Sequence, residues 1–194
     1  ITADNKAWDG SPQYSPDGRY IAYRFQRTPG YESDRFILGL IDRKTGKKTV
    51  LTENFDNWVD DFKWAADSKS IFFLGEVRGE EPLYSVDIRT GKIKNVIAGK
   101  AISGFDISPK GDIYFTYSTT GKPTAIYKTS LDAIRKGRQP LQLTHYNDDL
   151  ENEVDIRPSE QMWVKGADGD SVEVFIVKPH NFDKTKKYPL VINV

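Results

Sequence analysis

The sequence predicts a mainly β chain, most of it a partial β-propeller of about three four-stranded blades. Three observations carry that reading. An apolar strand, a tight turn and a second apolar strand occur together three times, at residues 8–23, 58–73 and 102–115. A second turn of the form Asp-x-x-Thr-Gly occurs at Asp42-Arg43-Lys44-Thr45-Gly46 and again at Asp87-Ile88-Arg89-Thr90-Gly91, 45 residues later. Four short strands in roughly 40–45 residues is the period of a propeller blade. A β-sandwich also has short strands and turns, but it does not repeat the same turn at the same phase three times.

The first blade, near 8–51, opens with Ser11-Pro12-Gln13-Tyr14-Ser15-Pro16-Asp17-Gly18 and continues with Tyr20-Ile21-Ala22-Tyr23. Pro presets φ at the first corner of that turn, Asp bonds its own backbone, and Gly accepts a positive φ. Strands are expected at 36–41 and 48–51, on either side of the Asp-x-x-Thr-Gly turn. The second blade, near 58–97, repeats the plan with Phe62-Lys63-Trp64, Ile71-Phe72-Phe73 and strands at 83–86 and 93–97. The third, near 102–144, has Phe105-Asp106-Ile107-Ser108-Pro109-Lys110-Gly111 and Ile113-Tyr114-Phe115, then a strand at 125–128. Its last connection, 130–137, reads as a helix of one or two turns with a Ser cap and a terminal Gly. Leu141-Gln142-Leu143-Thr144 closes it. Tyr14, Trp58, Phe62, Trp64, Phe72 and Phe73 are expected to pack between blades rather than to form a ligand cage.

After Thr144 the pattern changes. Residues 147–158 begin with an acidic stretch and read as a solvated linker, since the spacing matches no calcium loop. Strands are expected at 160–165 and 172–179, around Gly166-Ala167-Asp168-Gly169-Asp170. Leu190-Val191-Ile192-Asn193-Val194 is apolar on both faces, as in a strand buried within a sheet. Three blades do not close a ring of roughly four to eight. The chain is therefore expected to be a piece of a longer protein or to complete itself by association.

Composition narrows the function classes. Lys plus Arg and Asp plus Glu each number 28, so net charge is zero and gives no electrostatic reason to expect nucleic acid or an anionic membrane as partner. No apolar run approaches the roughly 18 residues of a transmembrane helix, and residues 1–9 do not read as a signal peptide. The compartment stays open between bacterial periplasm and cytoplasm. With no cysteine, disulfides, thiolate metal sites and Cys nucleophiles are excluded together. No metal or cofactor is expected.

Four passages resemble the prolyl oligopeptidase family of serine peptidases, in its acylaminoacyl peptidase and dipeptidyl-peptidase V branch. They are Ser15-Pro16-Asp17-Gly18; Pro29-Gly30-Tyr31-Glu32-Ser33-Asp34-Arg35-Phe36 running into the turn at 42–46; Leu143-Thr144-His145; and Lys165-Gly166-Ala167-Asp168-Gly169 through Val177-Lys178-Pro179 to Lys187-Tyr188-Pro189-Leu190. The last is the most diagnostic, because TolB-like binding propellers share the turn repeat. The resemblance implies a propeller at 1–146, a linker at 147–158 and, at 159–194, the first strands of an α/β-hydrolase domain. It implies a serine exopeptidase that cleaves dipeptides or acylated residues from peptide N-termini, with the propeller gating and orienting the peptide substrate. The alternative is a TolB-like propeller that binds protein partners.

The family's nucleophile elbow, Gly-x-Ser-x-Gly, does not occur in these 194 residues. Gly169-Asp170-Ser171-Val172-Glu173 lacks the second Gly and falls in a hairpin turn. His145 and His180 are the two histidines, one in the linker and one in a loop, and neither has an elbow serine to serve. No catalytic residue is therefore assigned, and the chain alone is expected to be inactive. The loop 26–35 is longer and more charged than its counterpart at 76–81. Loops on a rigid scaffold carry binding residues, and a dipeptidyl peptidase needs a carboxylate for the substrate's α-ammonium. Glu32 and Asp34 are the candidates, with Arg35 to steady one of them or meet a peptide carbonyl. Glu80-Glu81 resembles the paired glutamates of the dipeptidyl peptidase IV branch, although it sits on a short hairpin instead of a helix.

Overall fold

A computed structural model describes residues 2–99 and 101–193. Twelve strands form three four-stranded antiparallel sheets, each in simple sequence order. The first holds β1 (Asp9–Tyr14), β2 (Tyr20–Phe25), β3 (Ile37–Asp42) and β4 (Lys48–Val50). The second holds β5 (Phe62–Trp64), β6 (Ser70–Leu74), β7 (Leu83–Asp87) and β8 (Ile93–Ile97). The third holds β9 (Ala101–Ile107), β10 (Asp112–Thr119), β11 (Lys122–Ser130) and β12 (Leu141–Gln142). These are the three expected blades.

The turn chemistry explains the repetition. Gly18 N–H donates to Ser15 O and Gly111 N–H to Ser108 O, both at 2.8 Å, with the glycines at φ 68° and 83°. Ser68 takes the glycine's place in the second sheet at φ 59°, donating to Ala65 O at 3.0 Å. In the other turn, the Asp42 carboxylate accepts from Lys44 and Thr45 N–H, and the Asp87 carboxylate from Arg89 and Thr90 N–H. The connection after β11 is α1 (Leu131–Arg135), capped by Ser130 Oγ accepting from Ala133 N–H at 3.1 Å and ended by Gly137 at φ 65°.

Alternation along the strands builds two apolar layers. Ala22, Leu38 and Leu40 of the first sheet pack with Phe62, Ile71, Phe73 and Val86 of the second. Phe72, Leu74 and Leu83 point the other way and pack with Ile102, Phe105, Ile113 and Phe115 of the third. The middle sheet is thus buried on both faces, and the strongest apolar run, Ile71-Phe72-Phe73-Leu74, lies there. Trp64 packs in the first of these layers, with its indole N–H on Gln13 O at 3.3 Å. Trp58, although half-exposed, meets Phe36 of the first blade in a T-shaped contact with ring centroids 5.1 Å apart. Tyr14 departs from the packing expected of it, being 64% exposed beneath the Arg43 guanidinium.

The chain divides into two compact units, the first holding residues up to 118 with 124–146, the second 119–123 with 147 onward. In the second unit, residues 148–153 form a helix, α2 (Asp148–Glu153), where a solvated linker was expected. Asp148, Asp149 and Glu151 in its first turn complement the positive end of the helix dipole. The tip of the β10–β11 hairpin counts with this unit: Ser159 N–H donates to Thr120 Oγ at 2.7 Å, and a Cβ on Gly121 would lie 2.8 Å from Pro158 N. The strands β13 (Glu160–Lys165) and β14 (Ser171–Ile176) pair as the expected hairpin, Glu160 opposite Ile176 and Lys165 opposite Ser171. The expected buried strand at 190–194 is not formed over 190–193, where Leu190, Val191 and Ile192 are exposed; Val194 lies outside the described residues. A strand needs a neighbour for its N–H and C=O groups, and among the described residues β13 pairs only with β14.

Candidate functional site

Simple sequence order puts the turns after β1 and β3 at one end of the strands, and the connections after β2 and β4 at the other. The long loop 26–36 joins β2 to β3 and therefore lies beside the connection 51–61. Its feet are bound at both ends. Gln26 is 7% exposed; its N–H donates to Trp8 O at 2.8 Å, and its side-chain amide to Asp34 O at 2.7 Å and Glu32 O at 3.3 Å. At the far end the Arg35 guanidinium donates to the carbonyls of Phe55 and Glu53. Arg27 spans to the Glu53 carboxylate with both terminal nitrogens, Nη1 at 2.9 Å from Oε1.

The three residues singled out in the sequence are brought to this loop in unequal situations. Asp34 Oδ2 accepts from Thr28 and Arg27 N–H, both at 2.6 Å, and Oδ1 from Arg35 N–H at 2.9 Å. Those N–H groups, Thr28 first and Arg27 next, hold its carboxyl below the usual carboxylate range. Arg35 steadies the main chain of 53–55 with its guanidinium, which forms no pair with Glu32 or Asp34. Glu32 is exposed, and among the described residues its carboxylate has no hydrogen-bond or ion-pair partner. Its carbonyl is fixed while its charge faces solvent.

A second acidic group gathers at the same end of the strands. Glu81 is half-buried before β7, and its carboxyl is pushed up to about 7, by burial first, then by Asp60 and Glu76. Asp60 is held in turn by Arg24 Nη1 at 3.2 Å, and Arg24 also lies over the Phe36 ring at 5.0 Å. Glu80 lines the same recess, a cavity of about 310 Å³ with Glu76, Gly79, Glu81 and Ala101. Sequence reasoning found Glu80 and Glu81 but missed Asp60 and Arg24. These lie 21 and 57 residues before Glu81, and no local pattern distinguishes them from other surface charges.

The remaining candidates stand apart. Ser171, the false elbow serine, opens β14. His180 pairs with Asp155, which Arg157 also holds, and its other ring nitrogen is 2.7 Å from Asn181 Nδ2. His145 is exposed just after the third sheet. Among the described residues no three His, Asp or Glu side chains converge as a metal site.

No protein-family model matches the chain. The chain is 32% identical over 193 residues to dipeptidyl-peptidase 5 of Porphyromonas gingivalis, a match covering 99% of this chain and 28% of that protein. It spans about a quarter of the length of the curated relatives it matches. Among solved structures it is similar to the acylaminoacyl peptidase of Pyrococcus horikoshii, with TM-score 0.68, 20% identity, and coverage of 84% of this chain and 24% of that one. A second likeness is an acylaminoacyl peptidase in complex with Z-Gly-Gly-Phe-chloromethyl ketone, with TM-score 0.72 and 20% identity over 89% of this chain and 25% of that one. At that identity the likenesses concern the fold alone.

Proposed function

We propose, for a chain that is a stretch of prolyl oligopeptidase-family peptidase along nearly its whole length, that it serves a serine exopeptidase acting on peptide N-termini. In this reading residues 1–146 are the part of the propeller that orients the peptide. Residues 147–158 connect it onward, and 159–194 begin an α/β-hydrolase domain whose nucleophile, acid and base lie outside these 194 residues. The relatives' names support peptide cleavage, and the peptide-like inhibitor in one structural neighbour supports a peptide as partner.

One observation carries the assignment of the loop: Glu32 presents a carboxylate with no partner among the described residues, from a loop whose main chain is tied down at both feet. A fixed anion of that kind suits the α-ammonium of a free peptide N-terminus. Asp34 and Arg35 shape the loop around it.

The test uses the longer peptidase that carries the elbow serine, with Glu32→Gln keeping shape while deleting charge. The charge-assisted bond is worth about 1.5–3 kcal/mol, so kcat/KM on free-N-terminus substrates should fall roughly tenfold to a hundredfold. Acylated substrates should be nearly unaffected. Equal loss on both classes would mean that the loop merely shapes the entrance, and no loss on either returns Glu32 to the solvated surface. The 194-residue chain alone should turn over neither class; activity that survives repurification and responds to a serine-directed inhibitor would overturn the placement of the triad elsewhere.

A further inference from the structure

We infer that Asp34 and Gln26 are positioning residues that hold the loop 26–36 in one conformation and so set the charge specificity exercised by Glu32. The specificity clause rests on the reading of Glu32 given above; the loop-ordering clause does not.

The geometry separates the two roles that adjacent carboxylates share in the sequence. An Asp that bound a substrate ammonium would need an oxygen with capacity to spare and an open approach. Asp34 instead directs Oδ2 at two consecutive N–H groups, Arg27 and Thr28, at 2.6 Å each, and Oδ1 at Arg35 N–H at 2.9 Å. One side chain thereby closes the loop from its first residues to its last. Two main-chain bonds inside the loop each span only three residues: Asp34 N–H to Tyr31 O at 3.1 Å, an ordinary length, and Tyr31 N–H to Thr28 O at 3.3 Å, a long one, so neither joins the start of the loop to its end as Asp34 does.

Gln26 completes the closure from beneath. Its side-chain amide, nearly removed from solvent, donates to the carbonyls of Asp34 and Glu32, and the main-chain carbonyl of Gln26 accepts from Asn5 Nδ2 at 3.0 Å. A buried amide donor is costly to leave unsatisfied, so the loop is held where those two carbonyls sit. The contact to Glu32 O fixes the main chain of the residue whose carboxylate is free. An ordered carboxylate loses less entropy on meeting a cation than one on a mobile loop. The depressed carboxyl of Asp34 agrees with this account. Its folded pKa lies below the unfolded value, so loop order is present above the ordinary carboxylate range and is lost as pH falls through the lowered value.

Two measurements test the inference. In the 194-residue chain, Asp34→Asn and Gln26→Met should each raise amide hydrogen exchange at Arg27 and Thr28 at least about tenfold, while far-UV circular dichroism stays unchanged. Unchanged exchange at both amides overturns the ordering role outright. In the longer peptidase, Asp34→Asn should lower the preference for free over acylated N-termini, and it should do so only through Glu32. In a Glu32→Gln background it should therefore cost nothing further. A full additional loss there would mean that Asp34 meets the substrate itself and would overturn the positioning role. If Glu32→Gln alone changes nothing, the reading of Glu32 fails and takes the specificity clause with it, and the exchange rates still decide the ordering clause. Should Gln26→Met unfold the chain, Asp34→Asn, exposed to solvent on one side, carries both measurements.

Discussion

Glu81 binds its proton more tightly folded than unfolded, because burial, Asp60 and Glu76 all oppose its ionisation. Its pKa rises from 4.5 to about 7, so the folded chain holds more protons than the unfolded chain between those values. Stability from this group is fully present below the unfolded pKa and is lost as pH rises through about 7. Thermal unfolding from pH 5 to 8 should therefore show a fall in Tm that Glu81→Gln abolishes; a parallel profile in the variant would place the titration elsewhere. Ser68 illustrates a different residue-scale trade. It occupies a left-handed conformation where the equivalent turns use glycine, yet its hydroxyl accepts from Asp17 N–H of the first sheet at 3.1 Å. Ser68→Ala keeps the strain and loses the bond, so denaturant unfolding should report about 1–2 kcal/mol of destabilisation. Ser68→Gly loses the bond but relieves the strain, and should cost less than Ser68→Ala.

At the scale of the element, a Leu-Thr pair ends two of the three sheets in the same way. Leu51 N–H donates to Leu38 O and Leu38 N–H to Thr52 Oγ, both at 2.9 Å. Leu143 N–H donates to Ile126 O at 2.8 Å and Ile126 N–H to Thr144 Oγ at 2.9 Å. The hydroxyl stands in for a main-chain carbonyl where the outer strand has already turned away. Burial separates the two sites: Thr52 is 1% exposed and Thr144 only half-buried. Thr52→Val should leave the Leu38 N–H orphaned and cost about 1–3 kcal/mol. Thr144→Val should cost distinctly less, because water can replace the hydroxyl. Equal losses in urea titrations would contradict the burial argument.

For the whole propeller unit, the two outward-facing sheets differ in chemistry. The side of β2 that turns away from the second sheet opens on a cavity of about 390 Å³ lined by Pro12, Tyr14, Ile21, Tyr23 and Ile41 among others. The corresponding side of the third sheet is polar, with the Ser103 and Thr116 hydroxyls 2.9 Å apart and Lys128 2.9 Å from Asp112. Three blades do not close a ring, so we propose self-association through the unpaired edges and uncovered apolar surface that an open arc leaves, and the apolar side of the first sheet is where it should run. Ile21→Lys should lower the concentration dependence of light scattering, and Thr116→Lys should leave it unaltered. A chain that scatters as a monomer at every concentration would remove the proposal.

Turn chemistry and strand alternation are local properties, and the sequence by itself determined the blades from them. Ser15 to Gly18, the two Asp-x-x-Thr-Gly turns and the Ser130-capped helix form where their residues place them, because each is closed by hydrogen bonds within about five residues. The hairpin at 160–176 was legible for the same reason. The loop 26–36 was legible as a site but not in its division of labour, since Glu32 and Asp34 are the same kind of residue until Arg27, Thr28 and Gln26 are folded beneath them. Only the tertiary structure decided that Arg24, Asp60 and Glu81 converge, that Tyr14 is exposed, and that Ser68 serves another sheet. It also separated the charges that cancel in the sum. In the first two sheets, the connections 26–36, 51–61 and 75–82 carry nine carboxylates against three arginines, while the turns 15–19, 42–47, 65–69 and 87–92 carry seven cations against four aspartates. Each of these outcomes depends on how sheets distant in sequence are packed and oriented. No stretch of neighbouring residues contains that information.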